Sequence, residues 1–322
     1  MNILITGCAG FIGFHLSKKL LKESKFNIYG IDNLNKYYDV KLKKNRLALL
    51  KKNINFKFFC FDLSDYKKTF KNFKYNKYDI VVHLAAQAGV RYSIENPSNY
   101  VKDNLNAFFS VLDSSRLIEV KHLLLASTSS VYGDNKNFPL TEDCNTDLPL
   151  SFYAATKKSN EVMAYSYSNI YKLPCTILRF FTVYGPMGRP DMSLFKFVNS
   201  IFKNKFLSLH NNGNHIRDFT YINDVVEFIK RILNKPSTKK IPFEIYNIAS
   251  SQPKHLKFFI KTIESVINKK AKIKYIPLQK GDIYKTHADI TKISKKTSYY
   301  PSTKLVDGIK VFCEWFSKSR LN

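Results

Sequence analysis

Long apolar runs are missing from this 322-residue sequence. None approaches the roughly 20 consecutive apolar positions that a membrane helix needs. The first strand-like pattern begins at residue 2, so no secretory leader is expected ahead of it. Cysteine is scarce: the five, at 8, 60, 144, 175 and 313, lack metal-ligand spacing, and the seven histidines form no ligand cluster. The expectation is reduced thiols in a cytoplasmic protein, with no structural metal and no membrane partner. Repeats and long low-complexity linkers are absent too, and only 234–242 reads as a mobile surface loop.

Acidic residues are few, 25 against 52 basic, for a net charge of +27. That balance raises nucleic acid as a partner, but its distribution argues otherwise. Of the basic residues 44 are lysine, spread over nearly every segment, and eight are arginine. The pattern reads as solvated surface rather than a specific nucleic-acid face, leaving only nonspecific attraction to anions at low salt. The scarce arginines say more, because Arg91, Arg179, Arg189 and Arg217 fall in motif-bearing segments, and guanidinium grips carboxylate and phosphate in two-pronged fashion.

What the sequence does have, at its start, is an apolar strand over 2–6 running into Gly7, Gly10 and Gly13 and then into a helix from about Phe11 and Ile12. Gly7 permits the tight turn, Gly10 lets backbone approach a pyrophosphate, and Gly13 lets helix pack on strand, with free helix N–H groups facing the phosphates. A second apolar run over 28–31 ends in Asp32 and Asn33. A carboxylate at that point accepts hydrogen bonds from an adenosine ribose and repels a 2′-phosphate, so NAD is favoured over NADP.

Further apolar runs at 56–60, 79–84, 122–126, 175–180 and 244–248 alternate with helical patterns near 11–24, 38–51, 65–74, 99–117 and 153–171. This predicts α/β architecture, a Rossmann-type doubly wound parallel sheet. Residues 1–180 form the dinucleotide-binding domain, joined by a strand from 244–248, and 181–322 form a smaller interleaved substrate-binding region. There, helices near 192–203, 222–234, 254–268 and 303–317 are read as joined by irregular segments. The loops after residues 6, 31, 60, 84, 126 and 180 should meet in one cleft at the carboxyl ends of the strands.

Two of those loops carry reactive candidates, the hydroxyl-rich 127–133 and the stretch from Tyr153 to Lys157. Tyrosine and lysine four apart share a helix face, yet four such pairs exist in this lysine-rich chain and only position singles out Tyr153. Tyr153 follows the hydroxyl-rich strand end by a short loop.

Taken together, the glycine turn, Asp32 to Tyr38, Leu84-Ala85-Ala86-Gln87-Ala88-Gly89-Val90-Arg91, Tyr153 to Lys157, Arg179 to Pro186 and Arg217-Asp218-Phe219 resemble the extended short-chain dehydrogenase/reductase family. Within it they are similar to the nucleotide-sugar 4-epimerases that act on UDP-glucuronate, and the resemblance spans essentially the whole chain. It implies tightly held NAD, a UDP-sugar substrate and a homodimer through helices at about 99–117 and 153–171.

The resemblance implies that Tyr153, as phenolate, takes the proton of the sugar 4-hydroxyl, that Lys157 supplies a positive charge and holds the nicotinamide ribose, and that Thr128 hydrogen-bonds the 4-oxygen. The 4-keto sugar then turns in the site and is reduced on its other face. A 4-keto uronate is a β-keto acid, so its carboxylate must be kept out of line with the carbonyl π system. Thr128, Ser129, Ser130, Thr182 and Arg189 are assigned to that clamp. Arg217 is placed at the diphosphate, Gln279 and Asp282 at the uridine ribose, Asp62 and Leu63 at the adenine, and Leu84, Ala85, Ala86 and Phe180 along the cofactor. Gln87 and Arg91 face substrate, although Arg91 has the local alternative of pairing with Glu95.

The rivals are a 4-epimerase of neutral UDP-hexoses or N-acetylhexosamines, a decarboxylating uronate enzyme, and a silent module binding NAD or nucleic acid. Thr182 stands where the neutral-sugar branch carries Asn, and Ser130 where the decarboxylases carry Glu. With serines at 129 and 130, the acid/base couple that dehydration needs is missing.

Overall fold

A computed structural model describes residues 1–278 and 282–319. Its centre is a parallel sheet of β1 (Asn2–Thr6), β2 (Asn27–Ile31), β3 (Phe56–Phe59), β4 (Ile80–His83), β5 (His122–Thr128), β6 (Cys175–Phe180) and, counted later in the chain, β10 (Phe243–Ile248). The spatial order is β10-β6-β5-β4-β1-β2-β3, every pair parallel. Strands buried on both faces read as continuous apolar runs, as Ile3, Leu4 and Ile5 do with no exposed surface.

Crossovers run through α1 (Phe11–Leu20), α2 (Val40–Leu50) and α3 (Tyr66–Asn76). They continue through the short α4 (Tyr92–Glu95) and α5 (Pro97–Tyr100), α6 (Ala107–Leu117) and α7 (Phe152–Tyr171). Residues Val101–Asn106 form a π-helical stretch leading into α6, within the region read from sequence as one helix over 99–117. Asp39, Asp65 and Ser151 cap α2, α3 and α7, each accepting a backbone N–H from the first turn.

The order of strands reverses beside β1, whose neighbours are β2 and β4, and this switch point is pinned by Thr6. Its hydroxyl oxygen lies 2.8 Å from His83 Nδ1 and accepts the N–H groups of Leu84 and Ala85 at 3.1 and 3.2 Å. Burial pushes His83 down to about 3, so the ring is neutral.

Beyond β6 the chain builds β7 (Thr182–Tyr184), α8 (Ser193–Phe202), β8 (Phe206–His210), β9 (Ile216–Tyr221) and α9 (Ile222–Ile232). After β10 come β11 (Pro253–His255), α10 (Leu256–Ile267), β12 (Lys272–Ile276), α11 (Thr291–Thr297) and α12 (Leu305–Lys318). The segments read from sequence as irregular thus hold two small sheets, β11-β9-β7 and β12-β8. Their strands of three to six residues are too short for alternation to stand out. Helix α9 buries Ile222, Val225, Val226, Phe228, Ile229 and Ile232 on one face, each contributing about 2 kcal/mol of apolar burial. It packs on α1, with Lys19 and Lys230 paired to Glu227 and Glu23. Among the described residues, no helix is long and apolar enough to cross a membrane.

Candidate active site

One cleft of about 870 Å³ lies along the carboxyl ends of the strands and is lined by every loop expected to meet there. At its nucleotide end Gly7 adopts φ +68°, and a Cβ there would stand 2.8 Å from the Ala85 nitrogen; one on Gly13 would stand 2.2 Å from the Gly7 carbonyl. Side chains are therefore excluded from a turn whose backbone must be approached closely. Helix α1 starts at Gly10 with no side-chain cap and no acid in its first turn, leaving N–H groups for an anion, and Gly10, Phe11, Ile12 and Gly13 line the cleft.

Asp32 is buried beside that turn, accepting Ala9 N–H at 3.1 Å and Leu34 N–H at 2.8 Å. Burial pushes its carboxyl up, opposed by those bonds and by Lys43. The cradle, the uncapped helix end and the carboxylate together fit a dinucleotide. Asn33, Asp62, Leu63, Leu84, Ala85, Ala86 and Phe180 line the same cleft. Asp62 accepts the N–H and hydroxyl of Ser64 and pairs with Lys102 at 2.7 Å. Lys43, missed in the sequence, also lines it, donating to the Asn35 carbonyl and side-chain oxygen at 2.7 and 2.6 Å. In a chain with 44 lysines nothing in its pattern marked it.

At the other end stand Thr128, Ser129, Ser130, Tyr153 and Lys157. Thr128 closes the turn after β5, its hydroxyl oxygen accepting the Ser130 N–H and donating to the Ser130 hydroxyl, both at 3.2 Å. The Tyr153 hydroxyl is raised by burial, with the Arg189 charge and the Thr128 hydroxyl pulling it down. Lys157 donates to the Ala126 carbonyl at 3.0 Å, and burial takes it down to about 8 against the opposing charge of Glu161. The sequence reading made Lys157 the charge beside the phenol. The Lys157 amine is turned to the strand-end carbonyl, and Arg189 adds a second positive charge that favours the phenolate.

Arg189 lies in the loop after β7 with Thr182 at the strand's start, both lining the cleft. Its guanidinium is held by Asp191, with Nε donating to Oδ1 at 3.0 Å and Nη2 to Oδ2. Asp191, two residues on, was not singled out in the sequence. The loop itself is anchored from the nucleotide half. Buried Arg46 donates to the Ala9, Met187 and Gly188 carbonyls at 2.7, 2.6 and 3.3 Å, and His15 Nε2 sits 2.9 Å from the Pro186 carbonyl.

Two arginines that the sequence left without a settled partner find one in the fold. Arg91 pairs not with Glu95 but with Asp282 at 3.2 Å, a partner 191 residues away that only the fold brings near. Arg179 is not in the cleft at all: it is buried on Glu161, Nε to Oε1 at 3.0 Å and Nη2 to Oε2 at 2.8 Å. Arg217 lines the cleft, donating to the Ile216 and Tyr284 carbonyls, and burial lowers it to about 10 despite Asp282. Gln87 and Asp282 line it as well, as do the unanticipated Lys196, Asn199 and His215. Gln279 lies outside the described residues.

Residues 3–249 match the NAD dependent epimerase/dehydratase family. The chain is 44% identical over 330 residues to protein CapI of Staphylococcus aureus, covering 98% of each. It is 42% identical over 313 residues to the UDP-glucuronate 4-epimerase of Thermodesulfobacterium geofontis, covering 97% of this chain and 95% of that one. The UDP-glucuronic acid 4-epimerase of Bacillus cereus, solved in complex with UDP-glucuronic acid and NAD, superposes with a TM-score of 0.93 at 33% identity, covering 99% of both chains.

Proposed function

The chain belongs to the NAD dependent epimerase/dehydratase family, and from that membership we propose that it inverts C4 of UDP-glucuronate to give UDP-galacturonate. The observation that carries the uronate reading is Arg189, a guanidinium lining a cleft where hydroxyls, not acids, follow β5. The UDP-glucuronate 4-epimerases among its relatives support the same substrate.

NAD, when bound, supplies the acceptor and donor of the C4 hydride. The glycine turn and the α1 N-terminus hold its phosphates, and Asp32 its adenosine ribose. Tyr153 as phenolate removes the 4-hydroxyl proton and returns it after the sugar has turned, while Thr128 hydrogen-bonds the 4-oxygen through both steps. Burial makes the phenolate costly, and the positive charges of Lys157, which also holds the nicotinamide ribose, and of Arg189 offset that cost. Arg189, Thr182, Ser129 and Ser130 hold the carboxylate of the 4-keto uronate out of line with the carbonyl, which suppresses loss of carbon dioxide. Arg217 takes the diphosphate, Gln87 and Arg91 the substrate side, and Gln279 and Asp282 the uridine ribose. The region after about residue 180 then mainly binds the sugar nucleotide, with Gln87, Arg91 and the hydroxyls after β5 contributed from the dinucleotide-binding half.

A homodimer through α6 and α7 is supported by Phe109, Leu117, Val162 and Tyr165, large apolar side chains exposed on those helices, and light scattering in solution tests it. Free Cys60 on the surface suits a reducing cytoplasm. The deciding experiment is proton NMR of the purified protein with UDP-glucuronate and no added metal. UDP-galacturonate should appear without a pentose; unchanged substrate with NAD bound would overturn the uronate assignment.

A further inference from the structure

Asp191 already occupies one edge of the guanidinium assigned to the sugar carboxylate. It takes Nε and Nη2 of Arg189, and its Oδ2 also accepts the Tyr37 hydroxyl at 3.2 Å. Tyr37 is wedged in turn, since a Cβ on Gly89 would stand 2.5 Å from its hydroxyl. Among the described residues Nη1 of Arg189 has no hydrogen-bond partner. Burial alone would raise the Asp191 carboxyl, but Arg189 beside it holds it below its ordinary value. The cleft therefore contains an ionised carboxylate next to the place where a second one would bind.

We propose that Asp191 sets how strongly this cleft prefers an acidic sugar over a neutral one, an inference that rests on the uronate reading above. It fixes the guanidinium plane through the Nε and Nη2 edge, so that Nη1 is left for the substrate carboxylate. Its charge also offsets part of the attraction that carboxylate feels. An unopposed guanidinium would bind a uronate and its C4 epimer alike, and such uniform binding tightens the ground state without speeding turnover. Asp191 keeps the grip directional and moderate. Arg189 alone was legible as a clamp; the pair makes it a tuned one.

The test is calorimetric titration of NAD-loaded protein carrying Tyr153→Phe, which slows turnover, with UDP-glucuronate and with UDP-glucose, with and without Asp191→Asn. Asparagine keeps the shape and an acceptor for the guanidinium but drops the charge. UDP-glucuronate should tighten about tenfold relative to UDP-glucose, the scale of one like-charge interaction at a partly screened site. A change of equal size for both ligands, or none for either, overturns the proposal, because a merely structural residue would not move the ratio. Tyr37→Phe alters no charge, and a shift of the ratio as large as that of Asp191→Asn would likewise sink it. The two readings fail separately. An acid-to-neutral affinity ratio at or below one in protein with Asp191 intact removes the uronate assignment, whereas a ratio unmoved by Asp191→Asn removes the role of Asp191.

Discussion

Two arginine–carboxylate pairs of nearly the same local geometry sit in different surroundings in this protein. Arg179 and Glu161 lie in the core, with side chains only 3% and 4% exposed. There Arg179 Nη1 is spent on the Tyr132 hydroxyl and the Glu142 carbonyl, both at 3.0 Å, and Glu161 also accepts the Ser127 hydroxyl. Arg189 and Asp191 are 22% and 26% exposed and line the cleft, and Nη1 of that arginine has no partner among the described residues. What separates a structural pair from a binding one is not the pair but where the leftover donors point. A saturated guanidinium holds elements together, here β6 to α7. One with a spare edge facing a cleft can hold a ligand.

The contrast can be broken experimentally. The largest effect is expected at the candidate base in the cleft: Tyr153→Phe should cut turnover about 10²- to 10⁴-fold while bound NAD, read from its absorbance after denaturation, stays in place. Loss of NAD as well would make Tyr153 structural. Next, Glu161→Ala should destabilise the fold by about 3–5 kcal/mol by leaving Arg179 charged and unpaired in the core, measured by urea unfolding. Arg189→Ala, by contrast, should cost less stability yet divert part of the substrate to a pentose product, visible by NMR. If the two variants were equally destabilised and neither leaked, the distinction between the pairs would collapse. Thr182→Ala should leak in the same direction but less.

The smallest expected effect is a pH trend at Lys157. Burial lowers it from 10.5 to about 8, so between those values the unfolded chain holds a proton that the folded protein has released. Stability from this group therefore rises with pH through that window and is at its lowest below about 8. Wild-type protein should gain melting temperature relative to Lys157→Met between pH 8 and 10. A difference that stays flat or falls would mean the lysine is not desolvated.

The legible part of the molecule was the part made of long, repetitive signals. Seven strands of the main sheet stand where apolar runs ended in loops, and the glycine turn, Asp32, Thr128, Tyr153 and Lys157 all line one cleft. The short strands β7, β8, β9, β11 and β12 were not legible, because they alternate over too few residues and owe their conformation to pairing partners elsewhere in the chain. Arg179 and Arg189 looked alike in sequence for a related reason. Both are arginines of motif-bearing segments ten residues apart, and only the family resemblance, not the local pattern, assigned Arg189 and not Arg179 to the cleft.

By itself the sequence determined the parallel βα architecture, the glycine turn and the side chains available as reactive candidates. These depend on periodicity, on glycine where a Cβ cannot fit, and on functional groups that no environment can supply. Only the tertiary structure decided who pairs with whom. Arg91 meets Asp282 across 191 positions, Arg46 ties the loop after β7 to the glycine turn, and Asp191 takes one edge of Arg189. A charge is given by the residue, but its strength and direction are set by burial and by the neighbours that the fold brings within reach.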